Sequence, residues 1–420
     1  MMKVSLFSSS DHTRSDTRRM VPLFYGFQFF FSLLLWLPIF YEYQRRMGLS
    51  DAQIFGIQSV YYIVFCILEI PTGYLADRWG YSQCLKLGSF VLLVSNLLPV
   101  FETTYAGFLA HFLLIALSRS LISGALSAYL YEYLLRNGRV DSYKEAEGNA
   151  RAFSLVGRVV FWAGVGAMMQ WHITLPYWLT AVSAFISILF AFALPGLPKC
   201  AELDGISVSK RALGLRSRHG LALVVATLWR SPLVFLVMLQ GVAIFTLARI
   251  CQVNLFQPLL NAKSFDLSVH GGVMSLMTVC EALGSIKPGW VKRWVSDVSA
   301  VSILTVIIAM SLSLTAGTGS QVSVLVWLGV FSWAVGLSYP VQRQLLNDTI
   351  GETPLRATLL SVESLIDRAA CAAVALVLGG YVAGGTIEWF IYAASAVSVA
   401  IIFVLAVIFK LIIDLSLNRH

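Results

Sequence analysis

The stretch Glu69-Ile-Pro-Thr-Gly-Tyr-Leu-Ala-Asp-Arg-Trp-Gly80 separates two long apolar runs that are rich in aromatic residues. Asp77 and Arg78 place opposite charges side by side near its end, and Gly73 and Gly80 bracket them. Glycine and charge both interrupt a hydrophobic pattern, so the stretch indicates a turn between two apolar helices.

The composition predicts that these helices cross a membrane. The chain has 420 residues, of which 58% are hydrophobic and only 12% are charged. Soluble domains carry about 25% charged residues, so a soluble protein is excluded. The formal net charge of +8 would favour nucleic acid as a partner of a soluble protein, but here the positive-inside rule accounts for it.

Apolar runs long enough to cross the hydrocarbon core, about 20 residues each, recur along the chain. Twelve candidate spans cover approximately residues 20–43, 52–76, 83–101, 105–135, 146–170, 174–194, 231–260, 268–291, 299–317, 321–347, 356–382 and 386–413. The runs are continuous rather than alternating, which favours helices over a β-barrel. We therefore expect an all-α integral membrane protein.

A basic, hydrophilic segment divides these spans into two sets of six. The predicted organisation is a cytoplasmic tail (1–19), an N-terminal six-helix bundle (20–194), a cytoplasmic linker (195–230), a C-terminal six-helix bundle (231–413) and a cytoplasmic tail (414–420). With the termini inside, the only basic residues in external loops are Arg45, Arg46 and Lys263. This bias predicts that both termini are cytoplasmic.

The pattern Gly-x-Leu-Ala-Asp-Arg-x-Gly, the two sets of six spans and the central linker resemble a transporter of the major facilitator superfamily. Two further stretches add to the resemblance: Leu117 to Glu132 in span four and Asn347 to Ser361 between spans ten and eleven. They are similar to bacterial drug and metabolite exporters whose second helix ends in Glu-Ile-Pro-Thr-Gly. The sequence departs from the pattern of this family in two places. Tyr81 and Ser82 stand where the family has a basic pair, and span five lacks a proline.

The resemblance implies a secondary transporter of the bacterial inner membrane. It would export a small organic molecule, such as a drug, siderophore or metabolite, by alternating access in exchange for protons. A proton symporter that imports a nutrient is the alternative, and a membrane receptor or enzyme is a remote one. We expect a monomer.

Gly73, Asp77, Arg78 and Gly80 are candidates for a conformational latch on the cytoplasmic side. Gly73 would let its helix approach a neighbour closely. Asp77 would accept hydrogen bonds from the N-terminus of a neighbouring helix, where the dipole favours an anion. The alternative is a solvated turn.

Charged residues inside a membrane span are costly and therefore candidates for function. The proton-coupling candidates are Glu69, Arg119, Glu281, Glu363 and Asp367. Glu363 and Asp367 are four residues apart and so share one helix face. Structural ion pairs between helices are the competing interpretation, open for Glu69 and Arg119 and favoured for Glu363 and Asp367.

Polar and aromatic residues in spans one, five, seven and ten are candidates for lining a substrate cavity. They are Tyr25, Gln28, Trp36, Arg158, Arg249, Asn254 and Gln342. Aromatic rings would suit a bulky amphipathic or cationic substrate, although most aromatic residues of span one must face lipid or neighbouring helices.

The sequence contains no phosphate-binding loop, no metal-ligand spacing and no arrangement of a nucleophile with a base. We therefore expect no enzyme activity, no ATP hydrolysis, no cofactor and no metal. The energy for transport would come from an ion gradient, most simply of protons.

Overall fold

The structure is a computed structural model that describes residues 8–197, 231–286, 294–350 and 356–417. Every regular element in these ranges is helical, as the apolar runs predict. Most of the expected linker, from residue 198 to 230, lies outside the described residues. The same holds for residues 1–7 and 418–420 of the two expected tails.

The chain divides into two compact units. Unit 1 comprises Met1–Met47 and Val64–Ile206, and unit 2 comprises Gly48–Ile63 and Ser207–His420. The helices up to residue 197 are α1 (Ser8–Ser32), α2 (Phe40–Arg46), α3 (Asp51–Trp79), α4 (Tyr81–Phe101), α5 (Tyr105–Arg136), α6 (Tyr143–Trp162), α7 (Val165–Trp171) and α8 (Leu175–Ala193). The remaining helices are α9 (Pro232–Arg249), α10 (Phe256–Ala262), α11 (Leu267–Ser285), α12 (Asp297–Gly317), α13 (Gln321–Ile350), α14 (Arg356–Ala383) and α15 (Ile387–Leu417).

Ten helical segments in the described part are long and apolar enough to span a membrane. An eleventh span is present if α6 and α7, which meet at a bend of 43°, are taken as one. The multi-pass helical architecture is thereby confirmed.

The first expected span, 20–43, is not one continuous helix. Helix α1 ends at Ser32, and residues 33–39 form turns before α2 begins at Phe40. Irregular backbone is stable at membrane depth only where the protein satisfies its polar groups. Here the amide of Leu35 donates to Oγ1 of Thr180 at 3.0 Å, and the carbonyl of Leu34 accepts from Nε1 of Trp162 at 2.9 Å.

Two helices of unit 2, α11 and α13, approach each other through glycines. A Cβ atom on Gly336 would lie 1.9 Å from the carbonyl oxygen of Glu281, and one on Gly284 would lie 2.1 Å from that of Trp333. Small residues permit such backbone contact between helices in lipid. This contact fixes the position of Glu281 on α11.

Candidate functional site

Two buried carboxylates of α14 define the candidate site. Glu363 is 2% exposed and Asp367 is 5% exposed, and both lie within unit 2. Because they are one helical turn apart, they occupy the same face of α14. An isolated buried charge is very costly, so each carboxylate needs a partner or a proton.

Asp367 is paired with α9. Nη2 of Arg249 lies 2.9 Å from Oδ2 of Asp367, and the hydroxyl of Thr246 donates to Oδ1 at 3.1 Å. The side chain of Arg249 is 39% exposed, whereas that of Asp367 is 7% exposed. The arginine is therefore the more accessible partner of this pair.

Glu363 is paired with α13 in the same way. Nη1 of Arg343 lies 2.7 Å from Oε2 of Glu363, with side-chain exposures of 33% and 2%. The guanidinium carbon of Arg343 also lies 5.8 Å from the ring centre of Phe245 and 5.5 Å from that of Tyr339. Cation–π contacts of this length stabilise an arginine beside aromatic rings.

Gly241 of α9 completes the environment of Glu363. A Cβ atom at this position would lie 2.7 Å from both Oε1 of Glu363 and Nε2 of Gln342. Nε2 of Gln342 donates to the carbonyl of Val237 at 2.8 Å. Oε1 of Glu363 and Oε1 of Gln342 are both buried and have no hydrogen-bond partner in the described part of the chain.

A π-helical segment, Ile250–Leu255, follows Arg249 and joins α9 to α10. Within it, Gln252 donates to Glu281 of α11 at 2.8 Å. Asn254 is fully buried and accepts from the hydroxyl of Tyr62 at 3.2 Å. Short π-helical segments occur frequently at functional sites. Consecutive turns of one span thus contact α14, α11 and the first part of α3.

The candidates of unit 1 lie on several helices. Arg119 is exposed on α5, and Glu69 is half-buried on α3. Tyr25 stacks on Phe153 of α6 with ring centres 5.5 Å apart, and the guanidinium of Arg158 lies over the ring of Trp162. Gln28, the remaining candidate of α1, is half-buried.

Trp36 packs in the core of unit 1 instead of facing an open cavity. It is 2% exposed, and its Nε1 donates to Asn96 at 2.6 Å. Its ring contacts those of Phe40, His111, Phe112 and Tyr177. Neighbouring side chains thus contact both its ring and its N–H group, and its role as a cavity residue stays a prediction.

The Glu69–Gly80 stretch ends as a turn between α3 and α4. Gly80 has φ of 97°, which favours glycine, and Asp77 accepts from the hydroxyl of Tyr81 at 3.4 Å. Arg78 lies 4.8 Å from the ring centre of Tyr74. The close helix contact expected at Gly73 is not seen, since no heavy atom of the described residues lies within 4 Å of its Cβ position.

Several residues of the site were not identified from the sequence: Tyr62, Gly241, Phe245, Thr246 and Tyr339. Thr246 precedes Arg249 by three residues, and that spacing places both on one helix face. Phe245 precedes Arg249, and Tyr339 precedes Arg343, by four residues, which places each on the helix face of an arginine. Tyr62 and Gly241 contact residues more than a hundred positions away, and no local pattern identifies them. Among the described residues, no group of three His, Cys, Asp or Glu side chains is arranged to hold a metal ion.

The fold and the paired buried charges define the class: a multi-pass helical membrane protein with ionisable groups inside its spans. The family pattern "Major Facilitator Superfamily" matches residues 23–362. The chain belongs to this superfamily, and membership points to a transporter rather than an enzyme. No curated protein matches the sequence.

Three solved structures of similar fold have low sequence identity to this chain. A variant of the nucleoside transporter NupG superimposes with a TM-score of 0.77 at 16% identity, covering 93% of this chain and 99% of that one. The POT family transporter PepTSo gives 0.73 at 12% identity, covering 93% and 98%. The human organic anion transporter MFSD10 gives 0.59 at 16% identity, covering 92% and 99%. These similarities establish the fold.

Proposed function

We propose that this chain is a proton-coupled secondary transporter of a small organic molecule and that Glu363 and Asp367 carry the coupling protons. The observation that carries the proposal is the pair of buried carboxylates on α14, each bonded to an arginine of a different helix. Burial disfavours the charged form of a carboxylate, so a small change in its surroundings decides whether it binds a proton.

Protonation would change the contacts between helices. A neutral Asp367 no longer attracts Arg249 of α9, and a neutral Glu363 no longer attracts Arg343 of α13. Because each arginine left behind is partly exposed, loss of one pair costs about 1 kcal/mol and loss of both about 2 kcal/mol. That is enough to shift the balance between two arrangements of packed helices.

The wider arrangement we propose is the one expected from the sequence. It has twelve spans in two six-helix bundles, 20–194 and 231–413, with both termini cytoplasmic, in the inner membrane and as a monomer. Gly73, Asp77, Arg78 and Gly80 would act as the cytoplasmic latch during alternating access. Glu69, Arg119 and Glu281 remain further coupling candidates, and Tyr25, Gln28, Arg158 and Asn254 remain candidates for contact with substrate.

Two directions of transport are compatible with this site. Export in exchange for protons is supported by the resemblance of the Glu69–Gly80 stretch to exporters. Import together with protons is supported by the two ion pairs, because protonation of either carboxylate frees an accessible arginine to hold a solute that moves with the proton.

The test is solute-linked proton movement in proteoliposomes that contain a trapped pH-sensitive dye. The purified chain is given uridine, dialanine, benzenesulfonate and ethidium in separate runs, with and without an imposed pH gradient. We expect at least one solute to move protons, and Glu363→Gln and Asp367→Asn to reduce that movement about tenfold or more. Glu42→Gln is the matched control, because Glu42 belongs to unit 1 and pairs with Arg46 at 2.9 Å on the short helix α2.

Proton coupling is overturned if solute flux is unchanged when an ionophore collapses the pH gradient. The assignment to α14 is overturned if both α14 variants move as many protons per solute as the wild type. The sign of the pH change, acidification or alkalinisation of the lumen on solute entry, separates import with protons from exchange against them.

A further inference from the structure

We propose that Arg249 and Arg343 form the binding site of a small planar organic anion, which moves together with the protons of Asp367 and Glu363. The inference rests on the proposed function and, of the two directions of transport given there, selects import together with protons. It starts from one feature that both ion pairs share. In each, the arginine side chain is about one third or more exposed, at 39% and 33%, while the carboxylate is 7% or 2% exposed.

A ligand that approaches these pairs therefore meets the arginine side chains before the carboxylates. Each arginine uses one terminal nitrogen on its carboxylate, and a guanidinium has five N–H donors, so donors remain for a ligand. Nε of Arg249 is buried and has no hydrogen-bond partner among the described residues. The planar fork of arginine matches carboxylate, sulfonate and phosphate groups, which identifies the ligand's charged end.

Aromatic rings next to Arg343 indicate the other end of the ligand. Phe245 and Tyr339 lie 5.3 Å apart between ring centres and flank the guanidinium. Tyr339 is 49% exposed, so part of its ring is accessible. An apolar planar group on the ligand would stack on these rings while its anionic group reaches the arginine. The class that fits is a small aromatic or planar organic anion.

The charges of the site couple this anion to protons. When Glu363 and Asp367 are ionised, they neutralise the two arginines, and an added anion gains little. When a carboxylate binds a proton, its oxygen becomes neutral, the ion pair is broken, and the arginine keeps its full charge for the ligand. Proton binding and anion binding therefore favour each other, and by linkage each raises the affinity for the other by the same factor.

The other groups facing the carboxylates do not oppose this coupling. Asp367 interacts with Arg249 of α9, and Glu363 with Arg343 of α13 and with Asp367 itself. Among the described residues, other titratable groups at this face include Tyr61 and Tyr62 of α3, Tyr339 of α13, and Arg368 and Cys371 of α14. Tyrosine and cysteine are ordinarily neutral at pH 7 and arginine is cationic, so none of these adds a negative charge there.

The experiment measures binding by isothermal calorimetry to the purified full chain in detergent at neutral pH. Three probes of similar size differ in charge: benzenesulfonate, the neutral benzenesulfonamide and the cationic phenyltrimethylammonium. Benzenesulfonate keeps its charge across the whole pH range and does not cross a bilayer as a neutral acid. We expect it to bind about tenfold or more tightly than either of the others, since a hydrogen bond between charged groups contributes that much.

Variants then assign the site. Arg249→Lys and Arg343→Lys keep a positive charge beside the carboxylate but remove the planar fork, and each should weaken benzenesulfonate binding about tenfold. Glu363→Gln removes the competing charge, so it should tighten binding at neutral pH and flatten its pH dependence. Glu42→Gln should leave binding unchanged. Three results would each overturn the anion site. They are tighter binding of the cationic probe than of benzenesulfonate, unchanged affinity in both arginine variants, and binding of none of the three probes.

Flux in proteoliposomes separates this inference from the proposed function. If benzenesulfonate is transported without protons, proton coupling fails and the anion site stands. If protons are coupled only to flux of phenyltrimethylammonium, the proposed function stands and the anion site fails. Entry of benzenesulfonate with acidification of the lumen is the result expected when both are correct.

Discussion

The two ion pairs of unit 2 should respond unequally to the loss of each partner. Arg249→Ala leaves the Asp367 carboxylate buried, with the hydroxyl of Thr246 as a donor. Asp367→Ala leaves a guanidinium that is 39% exposed and can reach solvent. An uncompensated buried charge costs about 3–5 kcal/mol, whereas loss of an accessible pair costs at most about 1 kcal/mol. We therefore expect Arg249→Ala to be the more destabilising change by about 2–4 kcal/mol.

Unfolding of both variants in the same detergent, followed by tryptophan fluorescence, measures this difference. The double variant, with both side chains replaced by alanine, should be more stable than Arg249→Ala alone, because it removes the orphaned carboxylate. The destabilisation by Arg249→Ala should also shrink as the pH falls, since a neutral carboxyl group is easier to bury. Arg343→Ala and Glu363→Ala should follow the same order. If the carboxylate variants are as destabilising as the arginine variants, the assignment of accessible and buried partners is wrong.

Two further predictions concern glycine contacts and the α3–α4 turn. Gly336→Ala should destabilise the fold by about 3 kcal/mol, because its Cβ would meet the backbone of Glu281 at 1.9 Å. The control is Gly272→Ala on α11, where the space around the Cβ position is open. In the same unfolding assay it should stabilise the protein by about 0.5–1 kcal/mol. Asp77→Asn should slow solute flux in proteoliposomes while changing stability by less than about 0.5 kcal/mol, because Asp77 is exposed and contacts Tyr81 at 3.4 Å. Full flux in that variant would contradict the latch.

Local sequence patterns were sufficient to predict most helices and the two carboxylates of the site. Continuous apolar runs have one stable solution in lipid, which is a helix, so most span positions follow from composition. The four-residue spacing of Glu363 and Asp367 likewise fixes their common face on α14. The sequence favoured structural pairing for these two residues, and the geometry shows that each is indeed paired, with arginines that lie 20 and 118 positions away in the chain.

The break after α1 shows where such reasoning fails. Residues 33–39 are apolar, yet they form turns around Pro38, which cannot donate a backbone hydrogen bond. Trp162 and Thr180, more than a hundred residues away, hydrogen-bond to the backbone of Leu34 and Leu35. Local hydropathy carries no information about these partners. The π-helical segment after Arg249 is a similar case, since its Gln252 and Asn254 are bonded to α11 and α3.

Ligand binding and helix contacts are inseparable at this site because they depend on the same two guanidinium groups. Arg249 and Arg343 hold α9 and α13 to α14, and they are also the most accessible charges of the pairs. An anion that takes over a guanidinium must weaken its bond to the carboxylate, and the freed carboxylate is then stabilised by a proton. A helix rearrangement would therefore follow from occupancy itself. Arginine-to-lysine variants should keep the ion pairs and therefore the fold. They should bind an anion weakly and lose the coupling between anion binding and proton binding. A pair with a purely structural role would not produce this combination.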